Sequence, residues 1–436
     1  MAPRLGGSRA SLLTVLLASL LALTPAVAQA TYTGVQDTTT LGALAAGAGW
    51  IAIPQYANNY NPEVMGTGPA ETTDSLWVAH ISGPRLITFR LASAPYSATM
   101  GPMLLAGARS LLAVAWNDAA APGRVESAVL SASGNVSAPL LEAGAPAEGS
   151  LRLSVGADGA RAVSWREGSG LHLMGAPAGA QQLAPLVGPQ APLDPADRVV
   201  LSGANTFWLI DEAAGALSAA PAVFGQDSAP QGVTLGGVGA TALGDGAGGL
   251  WALARGGRGW FAAHLDRVGH LSSTALPTGA AGAVIALAGS TAVVAYRAGP
   301  RCASYVERLA PAAQPRSART SLTSRSSACS TPTAIAVDPA SGAAYVLLRS
   351  RHATTLVRET ASGATSRWSG PLTEHVDAMV AAGSDRVAVE SNGPQRNVGE
   401  QCGGASPSYS QAYFVRVFHR VHLERTGRLE ASILNC

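Results

Sequence analysis

The sequence predicts an all-β fold, a β-propeller of four-stranded antiparallel blades with eight blades favoured. Three observations predict it. Apolar stretches are short, rarely pass eight residues, and are punctuated by the chain's 50 glycines and 27 prolines, which is strand spacing rather than helix spacing. Pairs of such stretches recur around turns near Gly47, Gly107, Gly156, Gly203, Gly246, Gly289, Gly342 and Gly383, at the roughly 40–60-residue period of propeller blades. The second member of most pairs is continuously apolar, as a strand buried on both faces requires.

The elements follow in chain order. The first unit pairs Leu41–Ala45 with Trp50–Ile53 and is completed by Leu76–Ile81 and Arg85–Leu91. The second reads as a complete meander: Met103–Ala106, Leu111–Trp116, Arg124–Leu130 and Val136–Leu141, with a turn at Ser133-Gly134-Asn135. The third runs Leu151–Val155, Ala160–Trp165 and Leu171–Gly175. Later pairs are Arg198–Leu201 with Thr206–Ile210, Ala240–Leu243 with Leu250–Ala254, and Val284–Leu287 with Ala292–Tyr296. The last two are Thr333–Val337 with Ala343–Leu348, and Val376–Ala381 with Arg386–Val389. Seven blades result if the weak unit Arg198–Ala220 is cut wrongly. A string of β-sandwiches fits less well, because sandwich strands switch sheets and do not repeat one meander. Small Ala and Gly suit inner strands that converge on a crowded axis.

The turn-then-strand phrases Gly156–Glu167 (GADGARAVSWRE) and Asp338–Arg349 (DPASGAAYVLLR) resemble those of secreted bacterial β-propellers, including sialidase-like and lyase-type members. The resemblance implies architecture over nearly the whole mature chain and no catalytic residue. Sialidase Asp-boxes read S-x-D-x-G-x-x-W, and the spacing from Asp158-Gly159 to Trp165 departs from that; the WD signature is absent as well.

Residues 1–30 have the layout of a secretory leader. Arg4 and Arg9 form a basic start, Leu12–Leu23 an apolar run, and Ala26–Ala30 a small-residue cleavage region. The apolar run is shorter than the about 20 residues that span a bilayer. Residues 31–436 are then expected to be a single exported propeller domain, monomeric and without membrane insertion. The chain holds 29 Lys+Arg, all of them Arg, against 27 Asp+Glu, so loss of Arg4 and Arg9 leaves it formally neutral. A neutral chain with scattered charge does not suggest a nucleic-acid partner. Its four cysteines, Cys302, Cys329, Cys402 and Cys436, are an even set in an exported chain and read as two disulfides. Proximity favours Cys302–Cys329 and Cys402–Cys436 among the three pairings. A four-thiolate metal site would lack any Cys-x-x-Cys pair. The oxygen-rich segment Asn58–Asp74 lacks a recognisable calcium-loop spacing, and no cofactor or metal is expected.

Propeller topology predicts where a site lies. If inner strands run from one face to the other, all second strands end on the same face, at the mouth of the channel. The residues there are polar: Gln55, Tyr56, Asn117, Asp118, Arg166, Glu167, Asp211, Glu212, Arg255, Arg297, Arg349, Glu390 and Asn392. Arginines and carboxylates in a ring can hold a sugar, a peptide or an anion through bidentate bonds; charged strand ends also occur simply because loops are wet. Two insertions reach the same face. Tyr56–Asp74 carries Asn58 and Asn61, and Ser391–Gln411 carries Arg396; long loops of this kind are commonly functional.

No reaction is identified. His172 and His264 fall in third strands and read as strand-surface residues, and His419 with His422, three apart in a strand, point to opposite faces. There is no H-E-x-x-H, G-x-S-x-G or P-loop, and Gly236–Gly249 lacks a Gly-Lys-Ser ending. The expected function is an exported binding module for a carbohydrate, peptide or protein at the channel mouth. The alternative is a carbohydrate-active enzyme, a glycoside hydrolase or polysaccharide lyase, using carboxylates and Arg of that face.

Overall fold

The structure, a computed structural model, describes residues 39–41, 44–57, 74–82, 85–93, 103–108, 111–117, 124–137, 140–143, 152–156, 159–167, 170–177, 180, 183–185, 198–203, 206–211, 218–223, 233–300, 302–311, 314–315, 319–323, 329–351, 353–368, 372, 376–392, 396–399 and 408–433; several strands are described by backbone alone. The expected leader, Cys402, Cys436, Asn58, Asn61, Asp118 and Glu212 lie outside these residues.

Every regular element among the described residues is a strand, and every pairing is antiparallel. They form eight sheets of four or five strands, each built from one continuous stretch of chain. The first sheet contains Ala45–Gly47, Trp50–Ala57, Ser75–Ser82 and Arg85–Ser93, with Thr39–Leu41 pairing on the far end of Trp50–Ala57. The second contains Leu104–Gly107, Leu111–Asn117, Arg124–Ser131 and Leu140–Ala143. Here the expected fourth strand Val136–Leu141 divides into a single bridge, Leu130 to Val136, and a later strand. The third runs from Arg152–Val155 through Arg161–Glu167 and Gly170–Ala176 to Ala184–Pro185. The fourth, from Arg198–Gly203 through Thr206–Asp211 and Ser218–Val223 to Val233–Thr234, is a sheet in its own right.

The fifth and sixth sheets begin with Val238–Gly244 and Leu250–Gly256, and with Ala281–Ala288 and Thr291–Ala298; their third strands are Gly259–Leu265 and Ala303–Ala310. The seventh begins with Thr331–Val337, Ala344–Arg349 and Thr354–Glu359. In the eighth, Val376–Gly383 and Arg386–Asn392 lead to the long pair Ser408–His419 and His422–Ile433. The expected loop Ser391–Gln411 contains a short strand, Arg396–Gly399, paired to Ser408–Ser410.

Packing closes these sheets into a ring. Each neighbouring pair shares one apolar core, and the eighth sheet shares one with the first: Ile51, Ile53, Trp77 and Ala79 meet Ala388, Val415 and Val417. The second strands supply both sides of each sheet. Trp50 and Ala52 face the second sheet, whereas Ile51 and Ile53 face the eighth. Trp251 and Leu253 face the sixth sheet, whereas Leu250, Ala252 and Ala254 face the fourth. Alternate residues bury toward opposite neighbours, which is the physical reason these strands are apolar at every position.

The inner strands approach so closely that side chains have no room. A Cβ on Gly107 would overlap the Ala46 carbonyl, and one on Gly244 the Leu201 carbonyl. At the rim, aromatic residues of second strands donate to backbone carbonyls of the next sheet. Trp50 Nε1 bonds Ser131 O at 2.8 Å, Trp208 Nε1 bonds Gly248 O at 3.0 Å, and Trp251 Nε1 bonds Ser290 O at 2.9 Å. Tyr345 Oη does the same to Asp385 O at 2.6 Å.

The Cys302–Cys329 disulfide forms, with Cα atoms 4.9 Å apart, well within bridging range. It joins the loop before the third strand of the sixth sheet to the segment entering the seventh.

Candidate functional site

The alternation of strand directions gives the ring two faces. Inner strands join second strands by tight turns on one, the turn face. Second strands end on the other, the loop face, where longer connections lie.

An axial cavity of about 970 Å³ is lined by the inner strand of every sheet. Its wall is mainly Leu, Val, Ile, Ala and Gly, with Ser154 and Met379 among them, and it reaches the turn face at Gly47–Gly49, Asp338–Ala340 and Gly383–Ser384. Among the described residues each inner strand pairs with a second strand on one edge only, so its other edge offers backbone N–H and C=O groups toward the axis, except where Leu201 N donates to Ser154 Oγ at 2.9 Å. Among the described residues no aromatic lines the cavity, and its charged residues are Arg152, Asp338 and Arg386. Asp338 is fully buried; its Oδ2 accepts from the backbone N and the hydroxyl of Ser341 at 2.8 and 2.7 Å, while Oδ1 has no hydrogen-bond partner among the described residues. Arg386 is paired with Glu424, Nε to Oε2 at 2.7 Å, and this pairing raises its pKa against the opposing effect of burial.

The sequence-predicted residues lie elsewhere. Arg255, Arg297 and Arg349 end second strands on the loop face, and none lines the cavity. Arg255 and Arg349 are exposed and Arg297 is half-buried. The three are register equivalents: they pair with Val238, Ala281 and Thr331, the first residues of three consecutive inner strands. Glu390, in the eighth sheet's second strand, is buried at 1% exposure. Asn117, Arg166, Glu167, Asp211 and Asn392 end their second strands as expected and are placed by backbone alone, as are Gln55, Tyr56 and Arg396.

Two polar knots on the turn face escaped the sequence reading. Asp245 accepts from the backbone N of Ala247 and Gly249 at 2.7 and 2.8 Å, from Ser202 Oγ at 3.1 Å, and contacts His264 Nε2 at 3.0 Å. His264 is therefore buried between sheets, not a strand-surface residue. Burial alone would raise the Asp245 pKa, but the bonds from His264 and the turn outweigh it and lower it. The grouping of Ser, Asp and His is not a nucleophilic triad. The carboxylate stands between serine and histidine, so the imidazole is not placed to take the serine proton.

In the second knot, Asp385 binds Arg358 through Nε at 3.0 Å and a second guanidinium nitrogen at 2.5 Å, Arg420 Nε at 3.2 Å and Tyr345 Oη at 2.8 Å. Arg358 and Tyr345 more than offset the desolvation that would raise the Asp385 pKa, and hold it low. His419 and His422 flank the Arg420-Val421 hairpin turn and pair directly across it, instead of opposing each other along one strand. The signal that could have exposed these knots is an acidic residue in the inner-to-second turn, Asp245 or Asp385, with an aromatic near the start of a second strand, Trp251 of the same sheet for the first and Tyr345 of the preceding sheet for the second.

No family model matches the chain, and no curated protein matches it. Solved structures do. The β-propeller domain of the Trilobed protease from Pyrococcus furiosus is 6% identical, with 92% of this chain and 97% of that one covered and a TM-score of 0.44. The Dos1 propeller is 11% identical, with 81% and 92% covered and a TM-score of 0.43. Prolyl oligopeptidase B from Galerina marginata is 10% identical, with 88% of this chain and 56% of that one covered and a TM-score of 0.47. The likeness is one of propeller fold. The chain is a β-propeller, in which each sheet is a blade packed face to face on the next.

Proposed function

We propose that this protein is an exported, non-catalytic binding propeller that holds an extended peptide segment in its axial cavity. The observation that carries the reading is the composition of that cavity. Free strand edges supply backbone donors and acceptors, small and aliphatic side chains stand between them, and the volume is at the upper end of ordinary ligand pockets. A peptide in extended form can satisfy such edges with its own backbone. Glycoside chemistry asks for two carboxylates across the scissile bond, whereas among the described residues Asp338 is the one carboxylate lining the cavity. The lack of aromatic rings there among the described residues also disfavours a sugar, whose C–H faces pack on such rings. The leader-like residues 1–30 and the Cys302–Cys329 bridge support export, since disulfides persist in oxidising compartments.

Selection of a random decapeptide phage library on the purified protein tests this. Extended, apolar-rich peptides are expected to be enriched. Ala106→Trp and Ala340→Trp, which add bulk to the cavity lining at the second sheet's inner strand and at the seventh sheet's exposed turn, should each weaken their binding at least tenfold. Absence of enrichment, or peptides that bind both variants as tightly as the parent, would refute the reading.

A further inference from the structure

Charge is sorted between the two faces over the fifth, sixth and seventh sheets. On the loop face stand Arg255, Arg297 and Arg349 in equivalent register, with Arg258 and Arg351 exposed in the adjoining loops. The described loop-face segments 255–260, 276–281, 297–300, 302–304, 329–331, 349–351 and 353–354 contain no Asp or Glu. Of the described acids of these sheets, Glu307 lies midway along the third strand of the sixth, where it accepts from Tyr296 Oη at 2.9 Å, and the others sit at the opposite end, in the turns carrying Asp245, Asp266 and Asp338 and at the end of the third strand, Glu359. There they are engaged by local backbone, serine, histidine or arginine groups. A near-neutral chain thus carries an arc of like charge that composition hides. Such an arc focuses a positive potential and attracts anionic polymers.

We propose that this arc is a docking surface for an acidic polysaccharide. Each guanidinium presents a planar fork that fits a carboxylate or sulfate bidentately, and its repetition from sheet to sheet suits a polymer with a charge on successive residues. Trp260, half-buried opposite Arg255, adds an aromatic face on which a sugar ring can pack. Across the wedge between sheets, Tyr305 packs on the same apolar core as Trp260 and carries Arg319 4.7 Å above its ring. Two observations favour a glycan over the other polyanions. The Cys302–Cys329 bridge lies on this same face, in keeping with a compartment where the abundant polyanions are glycans. The large apolar side chains that are exposed, Val268, Leu271 and Leu423, all lie at the turn end, so the arc has no wedge for a lipid surface among the described residues.

The test is fluorescence anisotropy of labelled polygalacturonate with the full protein. Binding is expected, with an affinity that falls as NaCl rises, and neutral dextran should not compete. Arg255→Ser/Arg297→Ser/Arg349→Ser should weaken it at least tenfold, while Arg267→Ser on the turn face leaves it unchanged. If the triple serine variant fails to fold, Arg258→Glu/Arg351→Glu, confined to loops, should produce the same loss. Full binding by whichever variant folds would overturn the proposal, as would dextran competition. Single-stranded DNA or phosphatidylglycerol vesicles binding at least as tightly would overturn it in favour of a nucleic acid or a membrane. Peptide binding in the axial cavity should survive these loop-face substitutions, so the two sites fail independently.

Discussion

Asp385 shows how one residue ties two sheets together. It occupies a two-residue hairpin turn with Ser384, both at positive φ, +58° and +53°, the geometry of a type I′ turn. Aspartate tolerates that region better than most residues. The conformation directs its carboxylate toward Arg358 and Tyr345 of the preceding sheet. Because its pKa is depressed on folding, its contribution is fully present above the unfolded carboxyl value, about 3.9, and is lost as pH falls through the folded one. Asp385→Asn is expected to cost about 3 kcal/mol near neutrality, the order found on breaking a buried pair. The gap in melting temperature between the parent and the variant should close as the pH is taken below about 4. A gap that stays constant down to pH 2.5 would show that the carboxylate charge is not what matters.

At the scale of the element, the inner strand is the demanding one. Its Gly and Ala content reflects neighbours arriving from both sides, and the tightest places are backbone against backbone. Gly244→Ala puts a methyl group onto the Leu201 carbonyl, which no rotamer change relieves. A loss of about 1–3 kcal/mol is expected, the usual scale of core overpacking, readable in urea denaturation. Gly257→Ala, in an exposed hairpin where an added Cβ meets nothing within 4 Å, is the control and should be near neutral. The second strand was the more legible element: its unbroken apolar run, as in Leu111–Trp116 or Ala292–Tyr296, follows directly from burial on both faces. The rim hydrogen bonds of Trp208 and Trp251 were not legible. Their partners, Gly248 O and Ser290 O, are about 40 residues away, and any residue type can supply a carbonyl.

For the whole molecule, the decisive feature among the described residues is the apolar core through which the first and last sheets meet. Each described sheet is made from one continuous stretch, with no strand exchanged between the chain ends. Ring closure therefore rests on the core around Ile51, Trp77, Val415 and Val417. A cross-link elsewhere in the ring has to restrain the unfolded chain. The Cys302–Cys329 bridge spans 27 residues, which corresponds to about 3.5 kcal/mol in the loop-entropy picture. Cys302→Ser/Cys329→Ser is expected to lower the melting temperature by several degrees without splitting the transition. An unchanged melting temperature would mean that the bridge restrains nothing the fold does not already hold.

The inner and second strands, the blade-like repeat and the preference for the Cys302–Cys329 pairing were determined by sequence alone, because each depends on local periodicity or on nearness along the chain. The candidate site was only half legible. Arg255, Arg297 and Arg349 were placed on one face by counting strand directions, and their register equivalence makes that count exact in three consecutive sheets. What the tertiary structure alone decided is where the cavity opens, why His264 is buried, and how charge is divided between the faces. These depend on which residues from separate sheets come to share a space, and packing across a ring leaves no periodic mark in the chain that forms it.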